Sequence, residues 1–172
     1  MAIVTEIGIN GGPYDSTKVV DTVNGFPVGD KAIDASFIAS MIACFVTNGV
    51  LDTGSDDLKV SPGDGLSVKV NPGTTWANGY MSRLDNETTL ELAPGHTYLV
   101  LVRQNNNRSN SSLILYADNT GWIPVQNENL YDMILAEVKV PEGASAVASD
   151  MITDKRGDSY LCGYVTSKLR GA

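Results

Sequence analysis

The stretch YDMILAEVKVP, residues 131–141, decides the fold class. Apolar residues at positions 134, 136, 138 and 140 alternate with Glu137 and Lys139. Successive side chains of a strand point to opposite faces, so this alternation predicts a strand that is buried on one side and solvated on the other. The Pro141-Glu142-Gly143 run that follows has the composition of a turn.

Strand patterns of the same kind occupy most of the chain after residue 49. Tyr98 to Val102 is an unbroken apolar run, as expected of a strand buried on both faces. Alternating residues at 66–70 and 90–92 predict two further strands, and Pro- and Gly-rich turns separate these runs at short intervals. The intervals are too short for βαβ crossovers. The sequence therefore predicts a mainly β fold, an antiparallel β-sandwich or a partly closed barrel.

One buried α-helix is predicted at about residues 34–48. Asp34 suits the N-cap, and Gly49 suits the left-handed position after a helix. Large apolar residues, Ile38, Ile42, Phe45 and Val46, fall on one face, and Phe37, Met41 and Cys44 widen it. The remaining face consists of small residues and is a possible oligomer face: Ser36, Ala39, Ser40, Ala43 and Thr47. No charge occurs between Asp34 and Asp52, so this second face is covered either by the rest of the domain or by a symmetry mate.

Length and composition predict two segments within one structural unit. Residues 1–30 form an N-terminal strand or arm segment, and residues 31–172 form the β-rich domain with its helix. The net charge of −8 excludes a phosphate backbone as partner. The sequence has no signal peptide and no apolar run long enough to span a membrane, so we expect no membrane partner.

Several short motifs suggest chemistry that the rest of the sequence does not support. Asp52-Thr53-Gly54 resembles the catalytic loop of retropepsin-like aspartic proteases, but a helix rather than a strand precedes it. Arg156-Gly157-Asp158 spells a cell-adhesion tripeptide, for which we favour a polar turn with an Asp–Arg ion pair. A single histidine, His96, and two widely spaced cysteines cannot make a metal cluster. We expect no catalytic, metal or cofactor-binding residue, and no enzyme.

Carbohydrate binding is the alternative function. Trp76 and Tyr80 have the chemistry to stack on a sugar of the host surface, and the polar tract at residues 104–112 predicts a solvated loop beside an apolar strand. Core packing next to a turn or bulge at Asn78-Gly79 is the competing explanation for the two aromatic residues.

An ordered series of motifs resembles the N-terminal domains of phage baseplate and tail-fibre proteins, which include upper baseplate proteins. The series contains Asn48-Gly49-Val50, Leu58-Lys59-Val60, the Val68–Gly73 strand and turn, and Trp76-Ala77-Asn78-Gly79-Tyr80. It continues with Leu99–Arg103, the 131–141 strand, Ile152-Thr153-Asp154-Lys155-Arg156 and Leu161-Cys162-Gly163. About two thirds of the chain is covered in collinear order. The residues that carry the motifs are Asn48, Gly49, Trp76, Gly79, Tyr80, Asp154, Arg156, Cys162 and Gly163.

The resemblance implies a virion structural protein of the phage tail, made in the cytoplasm of the bacterial host. It implies a homo-oligomer, commonly a trimer, that docks onto another tail or baseplate protein. Two departures stand out: residues 1–30 match no part of the pattern, and Pro94-Gly95-His96-Thr97 replaces the Arg-x-Asp that usually precedes the apolar run.

Overall fold

The computed structural model describes residues 21–23, 26–28, 35–105, 112–118 and 123–169. Strands dominate these ranges, and one short helix accompanies them. The helix is α1 (Ala35–Ala43), and a single 3-10 turn spans Ser149–Met151. The strands are β1 (Asp21–Val23), β2 (Phe26–Val28), β3 (Gly49–Val50), β4 (Val60–Pro62), β5 (Ser67–Val70), β6 (Gly73–Ala77), β7 (Tyr80–Leu84), β8 (Thr88–Glu91), β9 (His96–Asn105), β10 (Ser112–Asp118), β11 (Leu130–Val140) and β12 (Ile152–Asp154).

Three antiparallel sheets make up the domain, and β1 and β2 form a separate two-stranded hairpin. The strand orders are β10-β9-β11-β12, β3-β6-β7 and β4-β5-β8. β12 runs against β4, and β10 runs against β7, so neighbouring sheets meet at their edges. The sheets do not close into a barrel, and the prediction of a mainly β, antiparallel, sandwich-like fold is confirmed.

The hydrophobic core lies between the inner faces of these sheets. Val68 and Val70 of β5, Val100 and Val102 of β9 and Val138 of β11 are almost completely buried in one cluster. Leu101 is also buried, on the opposite face of β9, so the run from Tyr98 to Val102 is buried on both sides as predicted.

The 131–141 stretch departs from simple alternation at its centre. Ile134 pairs with Leu101 of β9, whereas Ala136 pairs with Val100, so Leu135 is an extra residue in the ladder. Such a β-bulge shifts the side chains that follow to the other face. Ile134 and Ala136 therefore lie on opposite faces, and the prediction that they share one was wrong.

The helix is shorter than predicted and is oriented differently. It ends at Ala43, and Gly49 belongs to β3, so Gly49 is not its C-terminal glycine. Met41 and Phe45 were expected to face the core, but they are 42% and 45% exposed. Ala39 of the small-residue face is buried instead, so the helix is not buried on all sides.

The predicted N-cap Asp34 and most of the predicted arm at residues 1–30 lie outside the described residues. Only the β1–β2 hairpin falls within the arm. None of the helical segments in the described ranges has the length and apolar character that a membrane crossing requires.

Candidate functional site

Asn48 and Asn78 form a two-way joint between the segment after the helix and the turn of the β6–β7 hairpin. The Asn78 backbone N–H donates to Asn48 Oδ1 at 2.8 Å, and Asn48 Nδ2 donates to Asn78 Oδ1 at 3.2 Å. Asn78 Nδ2 also donates to the carbonyl of Asn127 at 2.9 Å, which brings in the loop before β11. Asparagine suits this position because Asn78 has a φ of +54° in the turn.

Gly79 completes the joint by letting the helix approach the hairpin. Its φ is +83°, and a Cβ atom added there would collide with the backbone of Ala39. This close approach of two backbones therefore requires a residue without a side chain at position 79. Ala39, which is 4% exposed, is the helix residue that lies in the contact.

The closing Cys162-Gly163 motif ties the C-terminal segment to β3. The Val50 N–H donates to the Gly163 carbonyl at 2.9 Å, and the Val165 N–H donates to the Val50 carbonyl at 2.8 Å. A Cβ atom on Gly49, whose φ is +149°, would collide with the Gly163 carbonyl. The Asn-Gly and Cys-Gly motifs, more than 100 residues apart, are thus parts of one contact.

Arg156 is the centre of a second cluster, the arginine cluster, with Asp154 and Asp57. Arg156 is 6% exposed. Its Nε and Nη2 donate to Asp154, Nη2 at 2.6 Å, and its Nη1 donates to the Asp57 carbonyl at 2.7 Å. The guanidinium is therefore occupied within the chain, so the Arg-Gly-Asp sequence is not presented as an adhesion tripeptide. An Asp–Arg ion pair was predicted for the Arg156-Gly157-Asp158 turn; a pair is present, but the aspartate that Arg156 contacts is Asp154.

The Asp154 carboxylate, which pairs with Arg156, and the Asp57 carboxylate, which bonds to Thr53, both have lowered pKa values. Burial alone raises the pKa of Asp154, but the hydrogen bonds and charge of Arg156 outweigh it and hold that pKa below its usual value. Burial likewise raises the pKa of Asp57, but Thr53 donates through both its hydroxyl and its backbone N–H, so the net pKa is lowered. A lowered pKa suits a structural anion rather than a proton donor.

The Asp52-Thr53-Gly54 motif is part of the same loop. Asp52 Oδ1 accepts a hydrogen bond from the Gly54 N–H at 2.9 Å, an Asx turn, and Thr53 bonds to Asp57. The loop follows β3, so the expectation that a helix and not a strand directly precedes the motif was wrong. The loop carries Asp57, whose backbone carbonyl accepts a hydrogen bond from Arg156. Both hydrogen bonds, Gly54 to Asp52 and Thr53 to Asp57, lie within the loop itself.

Trp76 and Tyr80 are on opposite faces of the hairpin. In the ladder Trp76 pairs with Met81, and Tyr80 pairs with Ala77, which belongs to the core. Residues opposite each other in a ladder share a face, and successive residues alternate. The two rings cannot form one sugar-stacking platform. Gln104, expected in the polar loop, is instead a fully buried residue of β9; residues 106–111 of that tract lie outside the described ranges.

Two buried polar pairs were not found from the sequence. Thr75 Oγ1 donates to Gln104 Oε1 at 2.8 Å, and Gln104 Nε2 donates to the Tyr80 carbonyl at 2.9 Å, which joins two sheets. Arg103 holds Asp132 through two parallel hydrogen bonds of 2.7 and 2.8 Å. The sequence signal for the second pair was a carboxylate inside the 131–141 apolar strand.

The predicted oligomer face is only partly available to another chain. Ala39 is buried by the hairpin, and Thr47 bonds through its hydroxyl to the Tyr164 carbonyl. Ser40 is exposed and Ala43 is half-buried, while the side chain of Ser36 is outside the described part. The small-residue face of α1 is thus used, at least at Ala39, within the chain itself.

The cysteines differ in their surroundings. Both are free thiols; Cys162 is buried and Cys44 is exposed. Burial raises the pKa of Cys162 to about 12, so it is an inert core residue. The expectation that Cys44 is a buried apolar residue was wrong.

Clusters suited to other chemistry are few in the described ranges. There, no three His, Cys, Asp or Glu side chains lie close enough together to hold a metal ion. An open cleft of about 300 Å³ at the start of β9 and the end of β11 includes His96, Lys139 and Glu142. His96 is exposed and packs edge-on against Tyr98, and Lys139 pairs with Glu137.

No protein-family model matches the chain, and a search of curated proteins finds no match either.

Proposed function

We propose that this chain is a non-catalytic structural module of a bacteriophage tail, baseplate or tail fibre. In this role it assembles with copies of itself, as a trimer if the resemblance extends to stoichiometry, and docks onto a neighbouring tail protein. Its location is the virion tail. The proposal begins from the collinear motifs of the sequence.

The observation that carries the proposal is the use of the motif residues within the fold. Asn48, Gly79 and Gly163 hold segments together through backbone bonds or close approach. Asp154 and Arg156 neutralise each other and anchor the loop before β4. These motif residues serve the frame of the domain, which supports an architectural role.

The electrostatics of the clusters also favour a structural role. Catalytic acids and bases need pKa values near the working pH, and these are commonly obtained by burial that outweighs local hydrogen bonding. At Asp57 and Asp154 hydrogen bonds outweigh burial and lower the pKa. The side chains are thus suited to permanent ion pairs and caps.

A direct test uses phage particles from the bacterial strain whose genome carries the gene. Antibodies against the full chain, located by gold labelling in negative-stain electron microscopy, should bind at one end of the tail. Mass spectrometry of the purified particles should detect the chain. Particles that lack the protein by both methods would overturn the proposal.

A glycan array with the full chain separates the assembly role from carbohydrate binding. An assembly module should bind none of the glycans. Binding that is lost in Trp76→Ala but kept in Met81→Ala, a substitution at the ladder partner of Trp76 on the same face, would instead support recognition of a host glycan.

A further inference from the structure

The last turn of helix α1 and the turn that follows it present large apolar side chains to solvent. Six such side chains are exposed in the described part of the chain, and Met41, Phe45 and Leu169 are three of them, with exposures of 42%, 45% and 63%. Met41 and Phe45 are four residues apart, the spacing that places side chains on one face of a helical turn. The exposed Cys44 lies between them in sequence.

Leu169 joins this surface through the C-terminal segment. Ser167 forms an antiparallel bridge with Val46, and the Lys168 N–H donates to the Phe45 carbonyl at 2.7 Å. These bonds place the C-terminal segment alongside the residues that follow the helix. We call the surface formed by Met41, Cys44, Phe45 and Leu169 the α1 apolar face.

The orientation of the helix is fixed from the other side. The backbone of Ala39 packs against Gly79, where no Cβ atom can be accommodated, so this side of the helix faces the hairpin. The large side chains then point away from it. Met41 and Phe45 are thus exposed because a close contact within the fold turns the other side of the helix inward.

The charge distribution of the chain favours this face as the place where two copies meet. The chain carries a net charge of −8, so two copies repel each other at most orientations. Residues 35–51 contain no charged residue and are the longest uncharged stretch of the chain, so repulsion between two copies is weakest where these stretches meet. One charge lies near the rim of the face: Lys168, whose Nζ donates to the Ala43 carbonyl at the end of the helix.

We propose that the α1 apolar face is the surface through which one copy of this chain docks onto another. Exposed Met and aromatic side chains without charges are the composition of the core of a protein–protein interface. The inference deepens the proposed function and rests on it, because it assigns the self-association of the module to these residues. It replaces the small-residue face as the site of contact.

The two cysteines supply a reporter for the test. Cys44 lies on the face and reacts with a maleimide when the face is open, whereas the buried Cys162 stays unreactive while the chain is folded. Labelling rates of the full chain are measured over a hundredfold range of protein concentration, with light scattering on the same samples. We expect an oligomer at high concentration and at least a tenfold slower labelling of Cys44.

Two substitutions on the face and one control complete the experiment. Phe45→Ser and Met41→Glu should give monomers whose Cys44 is labelled at the fast rate at every concentration. Met81→Ser, a change of an exposed apolar residue on β7, should leave both assembly and Cys44 protection unchanged. Unreactive Cys162 in each variant shows that it has folded.

Each other outcome contradicts the proposal in a recognisable way. A monomer whose Cys44 is protected at all concentrations means that the face is covered by the same chain. A monomer with fully reactive Cys44 at all concentrations removes self-association altogether. An oligomer that keeps reactive Cys44 and survives Phe45→Ser leaves the assembly function standing but places the contact elsewhere.

Discussion

Replacing Arg156 by lysine should destabilise the fold even though the charge is kept. The guanidinium donates to two partners in different directions, the Asp154 carboxylate and the Asp57 carbonyl. A lysine ammonium on its flexible stem cannot reproduce this fork. The substitution therefore separates the geometry of the arginine cluster from its charge.

The magnitude follows from the exposure of each partner. The bond to the Asp57 carbonyl is buried and donated by a charged group, so its loss costs about 1.5–3 kcal/mol. The Asp154 side chain is 48% exposed, so solvent screens the ion pair and its weakening adds only about 0.5–1 kcal/mol. We expect a total loss of about 2–4 kcal/mol in the free energy of unfolding, or roughly 4–16 °C in Tm for a chain of this size.

Urea unfolding followed by circular dichroism measures this loss, and Arg83→Lys is the matched control. Arg83 pairs with Asp85 at 2.9 Å, but the two side chains are 67% and 71% exposed. The control should lose less than about 0.5 kcal/mol, as expected of surface ion pairs. If the two variants lose the same amount, the arginine cluster does not anchor the loop before β4 and the reasoning fails.

Three further predictions concern acid stability and packing. The pKa values of Asp57 and Asp154 lie below the usual 3.8, so the stability that these carboxylates contribute is complete above that pH and is lost as the pH falls through the lowered values. The urea midpoint of unfolding should therefore be flat from about pH 7 to 5 and should drop below about pH 4. In Asp154→Asn the drop should be less steep. Gly79→Ala should cost at least about 1–2 kcal/mol more than Gly143→Ala in thermal unfolding, because both have positive φ values but only Gly79 has a backbone against the added Cβ atom. Trp76→Phe should leave the free energy of unfolding within about 1 kcal/mol of the parent, since Trp76 Nε1 is buried without a hydrogen-bond partner in the described residues; a larger loss would show that the indole N–H is bonded.

Periodicity predicted several strands but not the orientation of the helix. The patterns at 66–70 and 98–102 predicted β5 and β9 because the spacing of apolar residues along a strand indicates which of its faces are buried. The orientation of α1 depends on Gly79, 40 positions from Ala39 in sequence. A pattern within the helix identifies two faces, but the partner decides which of them is inside.

The same limit applies to the polar pairs. Arg103 and Asp132 are 29 residues apart, and their bond exists only because β9 and β11 are neighbours. The β-bulge at Leu135 also depends on pairing, so strict alternation in the sequence concealed it. In contrast, the Asp154–Arg156 pair is local, and both residues belong to one of the motifs that carry the resemblance.

The contact between Gly79 and Ala39 links the interior of the domain to its surface. Apolar burial favours turning Met41 and Phe45 inward, but the part of the helix that packs against Gly79 is the backbone of Ala39. A Cβ atom at position 79 must push the helix away or rotate it, and either movement displaces Phe45. Gly79→Ala should therefore change Cys44 reactivity as well as stability, whereas Gly143→Ala, with open space around its added Cβ atom, should change neither Cys44 reactivity nor assembly. A Gly79→Ala variant that unfolds more easily yet keeps the parent's Cys44 reactivity and assembly would show that the orientation of the helix is set elsewhere.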